Sequence, residues 1–158
     1  ATKAGKAEVA DANEIAGTLE ETDVVFLDPP YSGVHYSRFY HVLETIARGH
    51  CGEVTGVGRY PPPDERPNSA YSRKNGSRDA MDGLLRTLAD RRCRTLLTFP
   101  HDECSNGLSG KHIEDMAAAY FKVVRKSVKT RFSTLGGNTA NRAARRVSDE
   151  LMLVLRPR

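Results

Sequence analysis

The spacing of apolar residues along the chain predicts alternating strands and helices. Two short runs, DVVFL at 23–27 and RTLLTF at 94–99, place apolar side chains at consecutive positions. Such runs are typical of strands that are buried on both faces of a parallel sheet. Helices are predicted where a capping residue or an apolar repeat of helical period is present, at 12–19, 36–48, 78–91 and 111–119.

The order of these elements predicts an α/β fold. A short strand that closes at 8–10 is expected before the first helix, and Asp11 and Ser77 are expected to cap the helices that follow them. The segments 121–130 and 149–157 have the pattern of two more strands with no helix between them, so they should pair as an antiparallel hairpin. We therefore predict one α/β domain over the whole chain, with a largely parallel sheet, helices on both faces and a C-terminal antiparallel hairpin.

Residues 49–76 interrupt this order and lack any sustained period. The segment contains four prolines and five glycines, so we expect a long functional or partly disordered loop inserted in the domain. Its basic and aromatic residues are interleaved and include Tyr71, Arg73 and Lys74. This combination suits contact with nucleic acid, which makes the loop a candidate for target recognition. A mobile polar loop without such a role is the alternative.

Composition narrows the class of protein. The chain has 158 residues, of which 39% are hydrophobic, and this suits one folded domain. No apolar run reaches the length of a membrane span, and the five histidines have no metal-ligand spacing with carboxylates. The three cysteines form no CxxC pair, so we expect neither a zinc site nor a disulfide framework, and we expect a reducing cytoplasm. A net charge of +4 favours an anionic partner.

The sequence Asp28-Pro29-Pro30-Tyr31 directly follows the first buried strand. Proline donates no N–H group, so the two prolines end the strand, and ligands of open α/β sheets bind at this carboxyl edge. An aromatic amine is a weak nucleophile because its lone pair is delocalised into the ring. The Asp28 carboxylate and the Pro29 carbonyl can accept its two N–H bonds, which makes the lone pair available for attack, while Tyr31 stacks on the base. A tight turn that only ends the strand is the plain alternative.

These four residues resemble the catalytic motif of amino-group methyltransferases that use S-adenosylmethionine. The continuation YSRFYHVLETI at 36–46 resembles a subset of adenine-specific DNA methyltransferases, and the segment from Val124 to Leu155 resembles the last hairpin of the Dam-like class. The resemblance implies a partial Rossmann-like sheet, DNA as the partner, methyl transfer to the N6 amine of adenine, and the four motif residues as the catalytic ones. RNA and protein amine methyltransferases share the motif and are alternatives. Cytosine N4 is an alternative acceptor, although aspartate at position 28 favours adenine.

The resemblance also implies cofactor contacts. In the family an acid after the strand that precedes the motif contacts the adenine of the cofactor; Asp11 stands at that place, and Asp28 would be the second contact. A plain helix N-cap is the alternative role for Asp11. The family's glycine-rich FxGxG turn, which holds the methionine part of the cofactor, is absent from this sequence. Gly56-Val57-Gly58 follows no predicted strand, and Gly136-Gly137 lies in the predicted hairpin.

The absence of this turn predicts that the cofactor pocket is incomplete in this chain alone. We expect the chain to be the C-terminal part of a longer enzyme, because the catalytic motif is intact. Pairing with a second polypeptide that supplies the cofactor half is the next explanation. The third is a remnant that binds nucleic acid without turnover.

A basic run is the candidate nucleic-acid surface. From Lys122 to Arg146 the chain has eight lysines or arginines and no acid, and the run brackets two glycines whose N–H groups can approach phosphate. By the resemblance, Phe132 would pack on a flipped base opposite Tyr31; core packing is its alternative, and a solvated face is the alternative for the run. The residues predicted to contact nucleic acid are Tyr36, Arg38, Arg73, Lys74, Arg131, Phe132, Gly136, Gly137, Asn138 and Arg142.

Overall fold

The computed structural model describes residues 4–33, 37–57, 61–62, 69–131 and 147–158, without the side chains at 37–39, 129–131 and 147–148. The strands in this part of the chain are β1 (Val24–Leu27), β2 (Arg94–Pro100), β3 (Phe121–Arg131) and β4 (Val147–Pro157). The helices are α1 (Ala12–Ala16), α2 (Ser37–Arg48), α3 (Ser77–Asp90) and α4 (Gly110–Tyr120), with a 3-10 helix at Ala70–Ser72. Every predicted helix, and every predicted strand from residue 23 onward, is therefore present.

The described strands form one sheet in the order β1-β2-β4-β3. β1 and β2 are parallel, with Leu27 opposite Leu97. β4 lies between β2 and β3 and is antiparallel to both. Of the pairings between these strands one is parallel and two are antiparallel. The predicted α/β sheet with a parallel pair and a C-terminal antiparallel hairpin is thereby confirmed.

The hydrophobic core lies between one face of this sheet and helices α3 and α4. The apolar residues of α3, Met81, Leu84, Leu85 and Leu88, are at most 3% exposed. They form one cluster with the alternating buried leucines of β4, as expected for a sheet with one covered face. Burial of side chains of this size stabilises a fold by roughly 1.5–3 kcal/mol each.

Helix α4 approaches the end of β2 closely at its first residue, Gly110. The Gly110 N–H donates to the carbonyl of His101 at 3.1 Å. A Cβ atom at position 110 would lie 3.0 Å from the His101 Cα and 3.0 Å from the Pro100 carbonyl oxygen. Glycine is therefore favoured here, because a Cβ atom would fit only if the helix and the strand moved apart by a few tenths of an ångström. The contact anchors the loop at 101–109, whose side chains reach the Asp28–Tyr31 motif.

Three predictions at element boundaries are wrong. Residues 8–10 form no strand and are exposed, because no described strand lies beside them to complete a ladder. Helix α1 ends at Ala16, in a turn, instead of at residue 19. Ser77 is the first residue of α3 and not its cap; its hydroxyl donates to the Asn106 carbonyl at 2.8 Å, and Gly76 is the N-cap.

The second face of the sheet is not covered by the described helices. Val24, Phe26 and Val124 point to this face and are 69%, 62% and 46% exposed. The predicted layer of helices on both faces is thus wrong for the described part of the chain. Apolar residues of helix α2 are also exposed to solvent, among them Val42 and Ile46.

None of the described helices has both the length and the apolar character that crossing a membrane requires.

The segment at 49–76 is only partly irregular. Residues 49–57 are exposed, whereas the 3-10 helix packs against α3. Ser72 of this helix is buried and Tyr71 packs on the hydrophobic core. The C-terminal end of the predicted loop is therefore a fixed part of the fold.

Candidate functional site

The Asp28–Tyr31 motif lies at the carboxyl end of β1. Because Leu27 pairs with Leu97 in the parallel ladder, Asp28 stands level with Thr98 of the neighbouring strand. The Thr98 hydroxyl donates a hydrogen bond of 2.9 Å to Oδ1 of Asp28. Thr98 is only 9% exposed, so water competes little for this bond, and the bond fixes the direction of the carboxylate.

The middle of the motif is held by Asn106, whose side chain is fully buried. Its amide nitrogen donates to the carbonyl of Pro30 and to the carbonyl of Tyr71, each at 3.0 Å. Its amide oxygen accepts the N–H of Leu108 at 3.2 Å. Both donor protons and the acceptor of this side chain are used, which is the pattern of a residue that fixes neighbouring backbone.

The end of the motif loop is held by Ser105. Its hydroxyl oxygen accepts the N–H of Gly33 at 2.8 Å. Thr98, Asn106 and Ser105 thus contact the start, the middle and the end of the loop, and all three come from β2 or the loop that follows it. The two proline rings restrict the backbone between these contacts, so the loop has little freedom to reorient its carbonyl groups.

Tyr31 supplies the aromatic ring of the motif and is 38% exposed. Burial, and then the negative charge of Asp28, raise the pKa of its hydroxyl above the usual value. The side chain is therefore neutral at physiological pH. A neutral, partly exposed ring at the edge of the sheet can stack on a flat aromatic ligand.

A cleft of about 490 Å³ opens beside the motif. This volume lies within the range of roughly 300–1,000 Å³ that is usual for small-molecule sites. Asp11 and Asp28, the two predicted cofactor contacts, both line it. The lining residues are Val9, Ala10, Asp11, Ala12, Phe26, Leu27, Asp28, Pro29, Pro30, Ser69, Ala70, Tyr71 and Leu84.

Asp11 is both a helix cap and a wall residue of this cleft. Its Oδ1 accepts the N–H of Asn13 at 2.8 Å, which confirms the predicted N-cap of α1. The cap holds the carboxylate at the start of the helix, and Asp11 lines the same cleft as Asp28. The two roles considered for Asp11 are therefore compatible in this geometry.

A chain of hydrogen bonds joins α1 to the motif. The Tyr71 hydroxyl donates to the side-chain oxygen of Asn13, and the Asn13 side-chain nitrogen donates to the Ala80 carbonyl at 3.0 Å. The Tyr71 carbonyl accepts from Asn106, which also contacts Pro30. Tyr71 therefore connects the walls of the cleft, and its part in target recognition stays a prediction.

The Cys104 thiol lies near the motif and is poorly suited to act as a nucleophile. Burial, followed by the charges of Asp102 and Glu103, raises the pKa of the Cys104 thiol to about 11. The thiol is therefore protonated at neutral pH and is a poor nucleophile. Within the described ranges no three His, Cys, Asp or Glu side chains lie together in a way that could hold a metal ion.

Of the residues predicted to contact nucleic acid, the structure describes the side chains of Arg73 and Lys74. Arg73 and Lys74 are exposed and directly follow the 3-10 helix that lines the cleft. Arg38 lies in α2 and Arg131 at the end of β3, in positions whose side chains are not described. The other predicted contacts lie outside the described residues: Tyr36, Phe132, Gly136, Gly137, Asn138 and Arg142.

Sequence reasoning missed three residues of the site: Thr98, Ser105 and Asn106. Thr98 is a polar residue inside an apolar strand, and Asn106 is a fully buried polar residue. The polar position in the apolar run was the one available signal, because a buried hydroxyl needs a partner. Nothing in the local sequence indicates that Asn106 is buried.

An α/β sheet with an acid–proline–proline–tyrosine motif tethered beside a cleft is the arrangement expected of an amino-group methyltransferase. Residues 2–62 match the family model of the D12 class N6 adenine-specific DNA methyltransferases. The predicted resemblance is thereby confirmed for this part of the chain, which contains the motif and helices α1 and α2.

Three curated proteins have similar segments. The chain is 39% identical over 67 residues to the modification methylase LlaI of Lactococcus lactis subsp. lactis and 36% identical over 56 residues to the modification methylase StsI of Streptococcus sanguinis. It is 37% identical over 76 residues to the type II methyltransferase M.FokI of Planomicrobium okeanokoites. The matches cover 42%, 35% and 46% of this chain but only 10%, 8% and 12% of these relatives. No solved structure matches.

Proposed function

We propose that this chain carries the amine-orienting part of a DNA adenine-N6 methyltransferase of the restriction-modification type. The observation that carries the proposal is the Asp28 carboxylate, which Thr98 holds in place on the wall of a cleft that Pro29 also lines, with the partly exposed Tyr31 ring in the same motif. The family match and the similar modification methylases support the choice of adenine in DNA.

The motif would act by aiming hydrogen-bond acceptors at the target amine. The adenine flips out of the duplex and stacks on Tyr31, which contributes roughly 1–3 kcal/mol and offsets much of the free energy of flipping. Asp28 and the Pro29 carbonyl accept the two amine protons and direct the nitrogen lone pair toward the methyl donor. Asp28 need not remove a proton first, because the ammonium formed by transfer loses one readily.

The cleft fits part of S-adenosylmethionine, which supplies an electrophilic methyl group when it is bound. Its carboxylates, Asp11 and Asp28, can accept hydrogen bonds from the cofactor and offset its positive charge, and Phe26 gives it an apolar wall. Among the described residues that line the cleft there is no lysine or arginine to pair with the methionine carboxylate. We therefore propose Asp11 and Asp28 as cofactor contacts, and a further polypeptide segment or a second subunit as the source of the glycine-rich turn.

The proposed partner is DNA, and its backbone needs cations near the cleft. Arg73 and Lys74 meet this need in the described part of the chain, because both are exposed and adjoin the cleft wall. The contacts proposed for Arg38, Arg131 and the residues of the hairpin loop rest on the sequence alone.

The proposed orientation of an amine predicts that the chain distinguishes adenine from the same base without its 6-amino group. A short single-stranded thymidine oligonucleotide with one central deoxyadenosine avoids the need to flip the base. It should bind about fivefold more tightly than the oligonucleotide with purine at that place, because two hydrogen bonds are lost. NMR titration of the labelled chain measures both affinities. Equal binding of the two oligonucleotides would reject the proposed role of the motif.

A calorimetric titration with S-adenosylmethionine tests the proposed division of the cofactor site. We expect no micromolar binding by this chain alone, because it lacks the glycine-rich turn. Micromolar binding would show that the chain has a complete cofactor site of another kind. If the chain methylates RNA in preference to DNA, or binds nucleic acid but never supports methyl transfer when the cofactor-binding segment is added, the corresponding alternative replaces the proposal.

A further inference from the structure

We infer that Thr98 is a positioning residue for the reaction proposed above, and that its hydroxyl decides how the Asp28 carboxylate faces the target amine. The inference rests on the proposed function, because it concerns the same site. It adds a residue that lies outside the segment matching the family model.

The geometry leaves one strong acceptor for the Thr98 hydroxyl. A hydroxyl has a single proton, and two oxygens lie within its reach: Oδ1 of Asp28 at 2.9 Å and the Leu27 carbonyl at 3.4 Å. The carboxylate is nearer and charged, so it takes the proton in the stronger bond. The side chain is β-branched and almost fully buried, which restricts its rotamers and gives the hydroxyl one direction.

The backbone of the motif is already fixed without Thr98. Asn106 holds the Pro30 carbonyl, and Ser105 holds the Gly33 N–H. The Pro29 carbonyl therefore has a defined direction. Of the two proposed acceptors, the Pro29 carbonyl is fixed and the Asp28 carboxylate can still rotate. The hydrogen bond from Thr98 restricts this rotation.

No other described side chain makes this contact. Within the described residues Asp28 forms no salt bridge, and Thr98 is the one side chain that donates a hydrogen bond to it. Loss of the hydroxyl would let the carboxylate rotate between rotamers that differ in the position of the acceptor oxygen. Positioning errors of about 1 Å lower catalytic rates by about a hundredfold.

Two substitutions at position 98 separate the hydroxyl from the shape of the side chain. Thr98→Val replaces the hydroxyl with a methyl group and preserves the branched shape, whereas Thr98→Ser keeps the hydroxyl. Thr95→Val is the matched control, because Thr95 lies in the same strand, is 2% exposed and makes no contact with the motif. Thermal unfolding of all three variants shows whether the fold is retained.

The readout is the affinity ratio of the adenine and purine oligonucleotides in the NMR titration. In Thr98→Val the ratio should fall from about five to about two, because the carboxylate is no longer aimed while the Pro29 carbonyl still accepts one amine proton. Thr98→Ser and Thr95→Val should keep the ratio of the original chain. In a protein competent for methyl transfer, Thr98→Val should lower kcat with little change in KM, and Thr98→Ser should restore it.

The possible outcomes distinguish the two proposals. If the original chain prefers adenine and Thr98→Val keeps that preference, the positioning role is wrong while the proposed function stands. If Thr98→Ser loses the preference as fully as Thr98→Val, shape and not the hydroxyl is responsible, and the inference is also wrong. If the original chain shows no preference, the proposed function fails and the inference fails with it.

Discussion

Replacement of Asp28 with alanine is expected to lower methyl transfer to DNA adenine by about a hundredfold to a thousandfold, as does the loss of other oriented hydrogen-bonding groups at reacting centres. Asp28 is one of the two acceptors proposed to orient the amine. The Pro29 carbonyl cannot accept hydrogen bonds from both N–H groups of the amine in the required geometry. DNA binding should stay within about threefold, because charge contacts with the phosphate backbone supply most of the affinity and Asp28 is an anion.

The measurement is transfer of a radiolabelled methyl group to duplex DNA. It uses this chain alone if the chain is active by itself, and otherwise the chain together with the segment that supplies the cofactor turn. Asp90→Ala is the matched control, because it removes the same charge from an exposed position at the end of α3. Asp28→Asn should retain part of the rate, since its amide oxygen is still an acceptor. Substantial turnover by Asp28→Ala would overturn the assignment of the motif.

The fold was largely predictable because its signals are local. The apolar runs at 24–27 and 94–99 and the uninterrupted pair of strands at the C-terminus each follow from side-chain periodicity within a few residues. The position of β4 between β2 and β3 was not predictable in the same way. Strand order depends on contacts between distant residues, and periodicity contains no information about them.

The predictions that failed concern the residues against which a segment packs or pairs. Residues 8–10 were predicted to close a strand but have no described strand to pair with, and Val24 and Phe26 are apolar yet exposed. An apolar pattern predicts that a side chain is buried against other residues. It does not predict whether those residues belong to the same polypeptide segment. Exposed apolar side chains on β1 and α2 therefore agree with a site that is completed by further polypeptide.

In the candidate site, too, the residues adjacent in sequence were predictable and the distant ones were not. The Asp28–Tyr31 motif could be found from the sequence because its four residues are adjacent and their chemistry is specific. Thr98 and Asn106 could not be assigned to it, because they are 70 and 76 residues away from the motif atoms that they contact. Only the fold brings these side chains to the motif.

Replacement of Asn106 with alanine is expected to destabilise the domain by roughly 2–4 kcal/mol, because a buried donor or acceptor left without a partner costs about 1–3 kcal/mol. The substitution leaves the carbonyls of Pro30 and Tyr71 and the N–H of Leu108 without their present partner. Such a change is a large part of the free energy of unfolding of a domain, which is about 5–15 kcal/mol. Urea unfolding, with ΔG extrapolated to water, measures it.

Two further variants assign this loss to the hydrogen bonds of Asn106. Asn106→Asp preserves the size of the side chain but replaces both donor protons with an oxygen that faces two carbonyls, so it should destabilise the domain at least as much at neutral pH. Asn75→Ala removes an asparagine from the exposed turn before α3 and should change the free energy of unfolding by less than about 0.5 kcal/mol. If Asn106→Asp is as stable as the original chain, the two carbonyls do not depend on Asn106. The motif loop would then be held by its prolines, Thr98 and Ser105 alone.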